Sequence, residues 1–404
     1  KPKVRFKGYE DAWEQRKLGE LVGIYDGVHQ TPEYQDSGIM FLSVENIATL
    51  KSEKYISEEA FERDYKVYPE KGDILMTRIG DVGTTNVVET AEKVAFYVSL
   101  ALLKPNGIDS YFLSNAMKTN SFQKGLRERT LLTAIPQKIN KDEIGKIDIF
   151  IANNDEEQKK IGAYFFTLDH LITLHQRECE QAKKYKKYML QKMFPQNGSN
   201  VPEIRFSGFT HPWEQRKLGD LVERVTRKNQ DLVSELPLTI SAQYGLIDQN
   251  EFFDKRVASK DVSGYYLMEN GEFAYNKSTS TDAPWGAVKR LDRYENGVLS
   301  TLYIVFGIKE NAAIDSDFLV SYYSTNLWHK GIHEIAAEGA RNHGLLNIAP
   351  ADFFETKLMI PQDVEEQIKI GKYFEKLEKR ITLHQQKCEE LQKIKKFMLQ
   401  NMFV

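Results

Sequence analysis

The sequence predicts the α/β (α+β) class, with two homologous globular domains and one long helix at the end of each. Three observations support this prediction. The chain repeats itself at an interval of about 200 residues, each repeat closes with a helical segment of 39 residues, and the segments between mix short apolar runs with helical patterns. A chain of 404 residues is long enough for two such domains.

The repeat is clearest at the two ends of each half. Residues 4–22 and 204–222 are identical at 12 of 19 positions and share the run Trp-Glu-Gln-Arg-Lys-Leu. Residues 156–194 and 365–403 are identical at 24 of 39 positions. Because solenoid units are only ~20–50 residues long, a period near 200 indicates a domain duplication. The middles of the two copies have diverged.

The segment that closes each half has the apolar spacing of an amphipathic helix, with apolar residues every three or four positions and no proline. Asp155 and Asp363 are the expected N-caps. At ~1.5 Å per residue each helix would be on the order of 55–60 Å long. We expect the two helices to pack as a coiled coil; the alternative is one helix lying on each domain. The predicted interface residues are Ile161, Phe165, Leu168, Ile172, Met189, Ile370, Phe374, Leu377, Ile381, Leu391 and Met398.

Between these ends, Val94–Leu103 and Val298–Phe306 have the composition of buried strands, and Tyr111–Leu126 and Asp317–Ile335 that of helices. Two prolines bracket a polar stretch at Pro195–Pro202, which indicates a linker. The predicted organisation is a first domain at 1–155, a first helix at 156–194, a linker at 195–203, a second domain at 204–364 and a second helix at 365–404.

Catalytic signatures are missing from the sequence: it has no GxxxxGK[ST], GxGxxG, HExxH or GxSxG motif. An enzyme with an unrecognised site is therefore a disfavoured alternative. His175 and Cys179 recur as His384 and Cys388, and their i, i+4 spacing would allow a four-ligand zinc set. Because these positions lie on the apolar stripe of a duplicated helix, simple copying is the favoured interpretation.

The balance of 55 basic and 58 acidic residues gives a net charge of −3, which argues against a surface coated in Lys and Arg. This average hides a segregation, since each long helix carries +3 while both globular segments are acidic. No apolar run approaches the ~18–20 residues of a membrane helix, so no membrane partner is expected. Two cysteines and no basic-then-apolar leader predict a cytoplasmic location.

Polar and basic side chains cluster in loops that follow predicted strands. Arg78 and Lys277 occupy the same place in the two halves, just past a strand end. Arg can bond guanine, Asn or Gln can bond adenine, and a Thr methyl can contact thymine; the alternative for any one residue is an ordinary solvated turn. The candidate base-reading residues are Arg78, Thr84, Thr85, Asn86, Arg127, Arg129 and Lys138 in the first half and Asn276, Lys277, Ser278, Thr279, Arg341 and Asn342 in the second.

Several short motifs keep their order along the chain: Trp13–Leu18 with Trp213–Leu218, Lys71–Leu75, Glu156–Gln158 with Glu365–Gln367, and the MLQxMF helix ends. Together with two diverged domains, each followed by a near-duplicate long helix, these motifs resemble the specificity subunit of type I restriction–modification enzymes over essentially the whole chain. Asn270–Ala274 departs from the Gly-Asp-Ile/Leu pattern of that family.

The resemblance implies two target recognition domains, each reading one half of a split, asymmetric sequence in double-stranded DNA, with the helices paired antiparallel between them. It implies a non-catalytic subunit without a cofactor of its own, in a bacterial cytoplasm. The implied partners are two methyltransferase subunits, which use S-adenosylmethionine, and two restriction subunits that translocate DNA with ATP and Mg²⁺. The alternative is a coiled-coil scaffold with two protein-binding domains and no DNA role.

Overall fold

In a computed structural model the chain forms two compact units. The structure describes residues 1–196, 198–241, 244–255, 257–281, 283–336 and 344–404. The first unit comprises Lys1–Arg177 and His384–Val404, and the second comprises Glu178–Leu383. Each unit therefore contains one globular domain and a part of both long helices.

The strands of the first unit are β1 (Glu14–Lys17), β2 (Val22–Asp26), β3 (Ile39–Leu42), β4 (Tyr55–Ile56), β5 (Ile74–Thr77), β6 (Thr85–Val87), β7 (Val94–Phe96), β8 (Leu100–Pro105) and β9 (Asp148–Ile151). The main antiparallel sheet has the order β2-β8-β5-β6, and in a smaller sheet β3 lies between β4 and β7. A further pair joins β1 to β9. The helices are α1 (Leu18–Leu21), α2 (Glu58–Asp64), α3 (Ser110–Ala116), α4 (Asn120–Arg129), α5 (Lys141–Gly145) and the long α6 (Asp155–Met193).

The strands of the second unit are β10 (Glu214–Lys217), β11 (Val222–Arg224), β12 (Leu238–Ser241), β13 (Gly245–Asp248), β14 (Tyr266–Glu269), β15 (Phe273–Asn276), β16 (Ala287–Arg290), β17 (Asn296–Leu299), β18 (Ile304–Ile308) and β19 (Lys357–Ile360). This unit repeats the main sheet, in the order β11-β18-β15-β16, and the outer pair, β10-β19. Its smaller pairs, β12-β13 and β14-β17, differ from the smaller sheet of the first unit. The helices are α7 (Leu218–Leu221), α8 (Gln249–Phe253), α9 (Ser316–Tyr322), α10 (His329–Ile335), α11 (Pro350–Glu355) and the long α12 (Val364–Asn401).

β5 and β15, each an inner strand of its main sheet, are buried on both faces, because alternate side chains enter two separate cores. In β5, Ile74 and Met76 join one core and Leu75 joins the other. In β15, Phe273 and Tyr275 join one core and Ala274 the other. This double burial explains why both strands are apolar without alternation.

The two predicted long strands are wrong in the same way, because each is broken by a tight turn. Val94–Leu103 divides into β7 and β8 where the Leu100 amide donates to the Tyr97 carbonyl at 2.9 Å. Val298–Phe306 divides into β17 and β18 where the Tyr303 amide donates to the Ser300 carbonyl at 3.1 Å. The turn moves the chain from one sheet to another, which a continuous apolar run does not reveal.

The two predicted helices in the middles are also divided. Tyr111–Leu126 forms α3 and α4, and Asp317–Ile335 lies over α9 and α10. At both breaks a threonine hydroxyl donates to a carbonyl of the preceding helix, Thr119 to Ala116 and Thr325 to Tyr322, each at 2.7 Å. Such side-chain bonds to the backbone compete with continuation of a helix.

The two long helices are confirmed, and each begins at a side chain that caps it. Asp363 caps α12 as predicted, accepting from the Glu365 amide at 2.8 Å. The predicted cap Asp155 is wrong, since Asn154 accepts from the amides of Glu156 and Glu157 at 2.9 and 3.2 Å. Asp155 is instead the first residue of α6, where its charge suits the positive end of the helix dipole.

The parts of α6 and α12 within each unit pair antiparallel. In the first unit Asp169 pairs with Lys395 and His175 contacts His384, so rising numbers on α6 meet falling numbers on α12. In the second unit Glu178 pairs with Arg380 and Lys186 with Glu378. The predicted interface residues fall in the cores of the units: Ile161, Phe165, Leu168, Ile172, Leu391 and Met398 in the first, and Met189, Ile370, Phe374, Leu377 and Ile381 in the second.

The end of each long helix completes the core around a tryptophan of the other repeat. Phe403, just beyond α12, packs 5.8 Å from Trp13 and 5.7 Å from Phe165 between ring centroids. Phe194, just beyond α6, packs 5.6 Å from Trp213. The phenylalanine at each helix end therefore fills the core of a unit, and we call Phe403 and Phe194 the core plugs. Each unit needs residues from both halves of the sequence.

We expect Phe403→Ala to lower the free energy of unfolding of the first unit by about 3–5 kcal/mol, because it opens a cavity among packed rings. The measurement is urea denaturation of the full chain, followed by tryptophan fluorescence. Phe397→Ala on the same helix is the control, since Phe397 is 56% exposed and its loss should cost less than about 0.5 kcal/mol. Equal losses for the two variants would contradict the plug.

Candidate nucleic-acid interface

The loop between β5 and β6 in the first unit, residues 78–84, is closed by backbone bonds. The Thr77 amide donates to the Thr84 carbonyl and the Gly83 amide to the Thr77 carbonyl, both at 2.9 Å. Gly83 has φ +102°, and a Cβ there would lie 2.2 Å from Leu126 Cδ2 of α4. The glycine therefore serves both the turn and the close approach of the loop to α4.

A second loop, residues 131–138, lies against the first. The Gly80 amide donates to the Gln137 carbonyl at 2.9 Å, and the Gln137 side-chain amide donates to the Gly80 carbonyl at 3.0 Å. The Ile139 amide donates to the Arg78 carbonyl at 3.0 Å. We call residues 78–84 and 131–138 the paired loops of the first unit.

The paired loops bring several of the predicted basic residues of the first half together. Lys138 forms a bridge to Ile79 and its side chain is exposed. Arg127 and Arg129 occupy the last turn of α4, directly before loop 131–138, with Arg127 exposed and Arg129 half-buried. These side chains sit where charge-assisted bonds to phosphate or base edges are sterically open.

Arg78, in contrast, points into the protein. Its side chain is only 7% exposed and forms an ion pair with Asp26 at the end of β2. Its Nε atom has no hydrogen-bond partner among the residues that the structure describes. Burial lowers the pKa of the Arg78 guanidinium from its usual value. The structure thus gives Arg78 an internal partner that the sequence did not indicate, and its contact with bases stays a prediction.

The three polar residues at the start of β6 differ in their surroundings. Thr84 is exposed, whereas Thr85 is buried with its hydroxyl 3.0 Å from that of Ser114. Asn86 is half-buried, and its amide donates to the Ile47 carbonyl at 2.9 Å. Of these three, only Thr84 has a side chain placed for an outside ligand without loss of an internal bond.

The second unit builds a similar pair of segments after β15. The Leu346 amide donates to the Lys277 carbonyl at 3.0 Å, and the Thr279 amide donates to the Gly344 carbonyl at 2.7 Å. The side-chain oxygen of Asn276 accepts from the Ser278 amide at 3.0 Å, while the Ser278 side chain is exposed. We call residues 277–281 and 344–346 the paired segments of the second unit. The predicted residues Arg341 and Asn342 lie outside the described residues.

Sequence reasoning missed the exposed aliphatic residues of the first paired loops, Leu131, Leu132 and Ile135. The run Leu131–Pro136 reads as core by composition, and no periodicity distinguishes it from a buried strand. Only the backbone bonds to residues 78–80 show that this run is held at the surface.

The repeated histidines on the long helices contact each other, with Nδ1 atoms of His175 and His384 2.9 Å apart. Cys179 and Cys388 are both buried. Within the described part of the chain, no group of three or more His, Cys, Asp or Glu side chains is arranged to hold a metal ion. Nor does any helix of the described residues combine the length and hydropathy that a membrane span requires.

We call the paired loops of the first unit and the paired segments of the second unit the two frames. The frames present different polar and basic side chains, and each unit combines its frame with antiparallel helices. This arrangement defines a tandem recognition protein. The family model of the type I restriction modification DNA specificity domain matches residues 10–184 and 210–393. The chain belongs to this family and is a DNA sequence-recognition subunit of a type I restriction–modification system. The match gives no support to a scaffold without a DNA role.

One solved structure shows the same fold as this chain. The crystal structure of a type I restriction-modification S subunit from M. genitalium aligns with a TM-score of 0.68 at 13% identity, covering 100% of this chain and 99% of that one. The HsdS subunit from Thermoanaerobacter tengcongensis aligns with a TM-score of 0.39 at 13% identity, covering 97% of both chains. A chain from a study of complex assembly and conformational transition in the type I R-M system aligns at 0.41 and 12% identity, covering 96% of this chain and 97% of that one.

We expect Gly83→Ala to disrupt the paired loops, because Ala at positive φ costs about 1–2 kcal/mol and its Cβ would also collide with Leu126. Gly80→Ala is a matched control: its φ is +84°, but nothing lies within 4 Å of the added Cβ. Urea denaturation of both variants separates the backbone cost from the packing cost. Equal destabilisation would show that the contact with α4 is not constraining.

Proposed function

We propose that this chain is a non-catalytic specificity subunit, and that each unit reads one half of a split, asymmetric target in double-stranded DNA. The observation that carries the proposal is the frame that recurs in both units, at the end of β5 in the first and of β15 in the second. The residue after β5 and the residue after β15 each accept a backbone bond of 3.0 Å from a later segment, Arg78 from Ile139 and Lys277 from Leu346.

The frames carry different side chains, which supports two different half-sites. The first presents exposed Thr84 and Lys138, with Arg127 beside them. The second presents Ser278 at the surface with Lys277 and Thr279 half-buried. Because base edges are distinguished by the donors and acceptors that meet them, unlike side chains on a like frame favour unlike bases.

The Arg78–Asp26 pair gives the first frame its rigidity in this proposal. A guanidinium held inside the domain fixes the backbone of the loop start, so that Thr84 and Lys138 are presented in a defined geometry. Arg78 then acts as a positioning residue. Direct base contact by Arg78 would require the buried pair to break, which leaves Asp26 without its partner.

Repeated apolar residues on the long helices support docking of partner subunits. Leu174 and its copy Leu383 are exposed, and so are Tyr188 and its copy Phe397. Exposed apolar side chains that occur twice on equivalent positions suit two identical partners. We propose two methyltransferase subunits there, which would bind S-adenosylmethionine.

Two restriction subunits using ATP and Mg²⁺ would complete the assembly, in a bacterial cytoplasm. The near-neutral charge of the chain fits such an assembly, because partner subunits can share the neutralisation of DNA phosphates. This chain would supply sequence recognition and no cofactor of its own.

The half-site assignment is tested by Lys138→Ala and Lys277→Ala, each serving as the control for the other. If each lysine contacts a base, each variant should relax one half of the methylated sequence and leave the other half unchanged, at a cost of about 1–3 kcal/mol in that half-site. The measurement is the genomic methylation pattern in a host carrying the full system. Relaxation of the same half by both variants would contradict one half-site per unit, and a uniform loss would indicate phosphate contacts.

The docking proposal predicts that Leu383→Asp releases one methyltransferase subunit while the other stays bound through the Leu174 copy. Native mass spectrometry of the assembled complex measures the stoichiometry. Thr382→Asp introduces the same charge on the same helix, about 100° round the helix axis, and should leave the complex intact. Retention of both subunits in Leu383→Asp would refute this site.

A further inference from the structure

The tip of loop 131–138 exposes aliphatic side chains at the candidate interface. Leu132 is 64% exposed and Ile135 is 100% exposed. Aliphatic residues of this size are usually buried, and the exposure of both side chains forgoes much of the free energy that their burial would supply. Their exposure next to a recognition site therefore points to a ligand contact rather than to folding.

Hydrogen bonds hold loop 131–138 in the conformation that exposes Leu132 and Ile135. The Leu131 amide donates to the Lys138 carbonyl at 2.8 Å and closes the loop at its base, and the Ala134 amide donates to the Leu131 carbonyl at 3.3 Å within it. The two bonds between Gly80 and Gln137 fasten the same loop to residues 78–84. The aliphatic tip is thus presented on an anchored base.

The chain on both sides of the tip is rich in basic residues. Residues 124–141 carry five basic side chains and one acidic, within a domain segment that is acidic overall. The single acidic residue, Glu128, faces Lys124 at 4.0 Å. The aliphatic residues alone would suffice to bind an apolar pocket on a protein, whereas binding to a nucleic acid also requires cations that contact its phosphates.

We propose that Ile135, flanked by Leu132, inserts between two stacked base pairs of the DNA read by the first unit and opens that base step. The inference rests on the proposed function and extends it to the shape of the bound DNA. Aliphatic wedges that separate base steps are a known mode of protein–DNA contact, and the flanking cations hold the adjacent phosphates. Because pyrimidine–purine steps unstack most readily, such a step should occur in the half-site read by the first unit.

The test uses the full chain assembled with its methyltransferase subunits and a duplex containing the methylated target, with 2-aminopurine placed at each position in turn. The wild-type complex should raise 2-aminopurine fluorescence several-fold at one base step. Ile135→Ser should abolish this rise and lower target affinity by roughly tenfold, comparable to one mismatched base pair. Ile135→Leu should retain the rise.

Val201→Ser is the control, because Val201 is also an exposed aliphatic residue but lies in the linker between the repeats. It should change neither the fluorescence nor the affinity. Since Ile135 is fully exposed, Ile135→Ser should unfold at the same temperature as wild type.

The outcomes separate this inference from the proposed function. If the wild-type complex prefers its target but no position of 2-aminopurine responds, insertion is refuted and sequence recognition stands. If the complex does not distinguish target from other DNA, the proposed function itself fails. If Ile135→Ser loses a methyltransferase subunit and leaves the fluorescence rise unchanged, the tip is a protein contact and insertion is refuted.

Discussion

The contact between an early tryptophan and a phenylalanine from the end of a long helix is the constraint on which the structure depends. Trp13 and Phe403 lie at opposite ends of the sequence, yet they meet in one core with ring centroids 5.8 Å apart. Trp213 and Phe194 form the equivalent contact at 5.6 Å. Because each core takes its plug from the other repeat, neither repeat can bury its own apolar surface alone. The copied motifs at the ends of the repeats are therefore the parts that must fit each other.

A buried ion pair fixes the other end of each long helix. Arg5 donates two bonds to Glu157 at 2.6 and 2.8 Å, and Arg205 donates two to Glu366 at 2.6 and 2.7 Å. A buried pair of this kind adds little net stability, since desolvation offsets much of the Coulomb attraction. Its planar two-point geometry instead holds the N-terminal arm in one orientation on the first turn of the helix. The adjacent Gln158 reinforces this by accepting from the Asp109 amide at 3.2 Å.

The overall architecture can be predicted well from the sequence, but the candidate site only in part. The reason is that the surroundings of a side chain depend on residues far away in the sequence. The long helices follow from local periodicity, and the tandem domains follow from comparison of the chain with itself. Arg78 shows the limit: a basic residue after a strand reads the same whether it faces solvent or Asp26, which lies 52 positions away in sequence. The exposed Ile135 shows the same limit from the other side, since an aliphatic run has the composition of core unless long-range bonds are known to hold it at the surface.

The segregation of charge has a consequence for recognition that the net value of −3 conceals. The globular segments are acidic overall, so their net charge disfavours contact with DNA phosphates. Within the first domain, residues 124–141 carry five basic side chains and one acidic side chain, beside the paired loops. A cationic patch on an acidic domain disfavours encounters in other orientations, because like charges placed together cost free energy. If residues 124–141 contact DNA as proposed, the acidic surroundings contribute to specificity by lowering non-specific affinity, while this basic segment makes the productive contact.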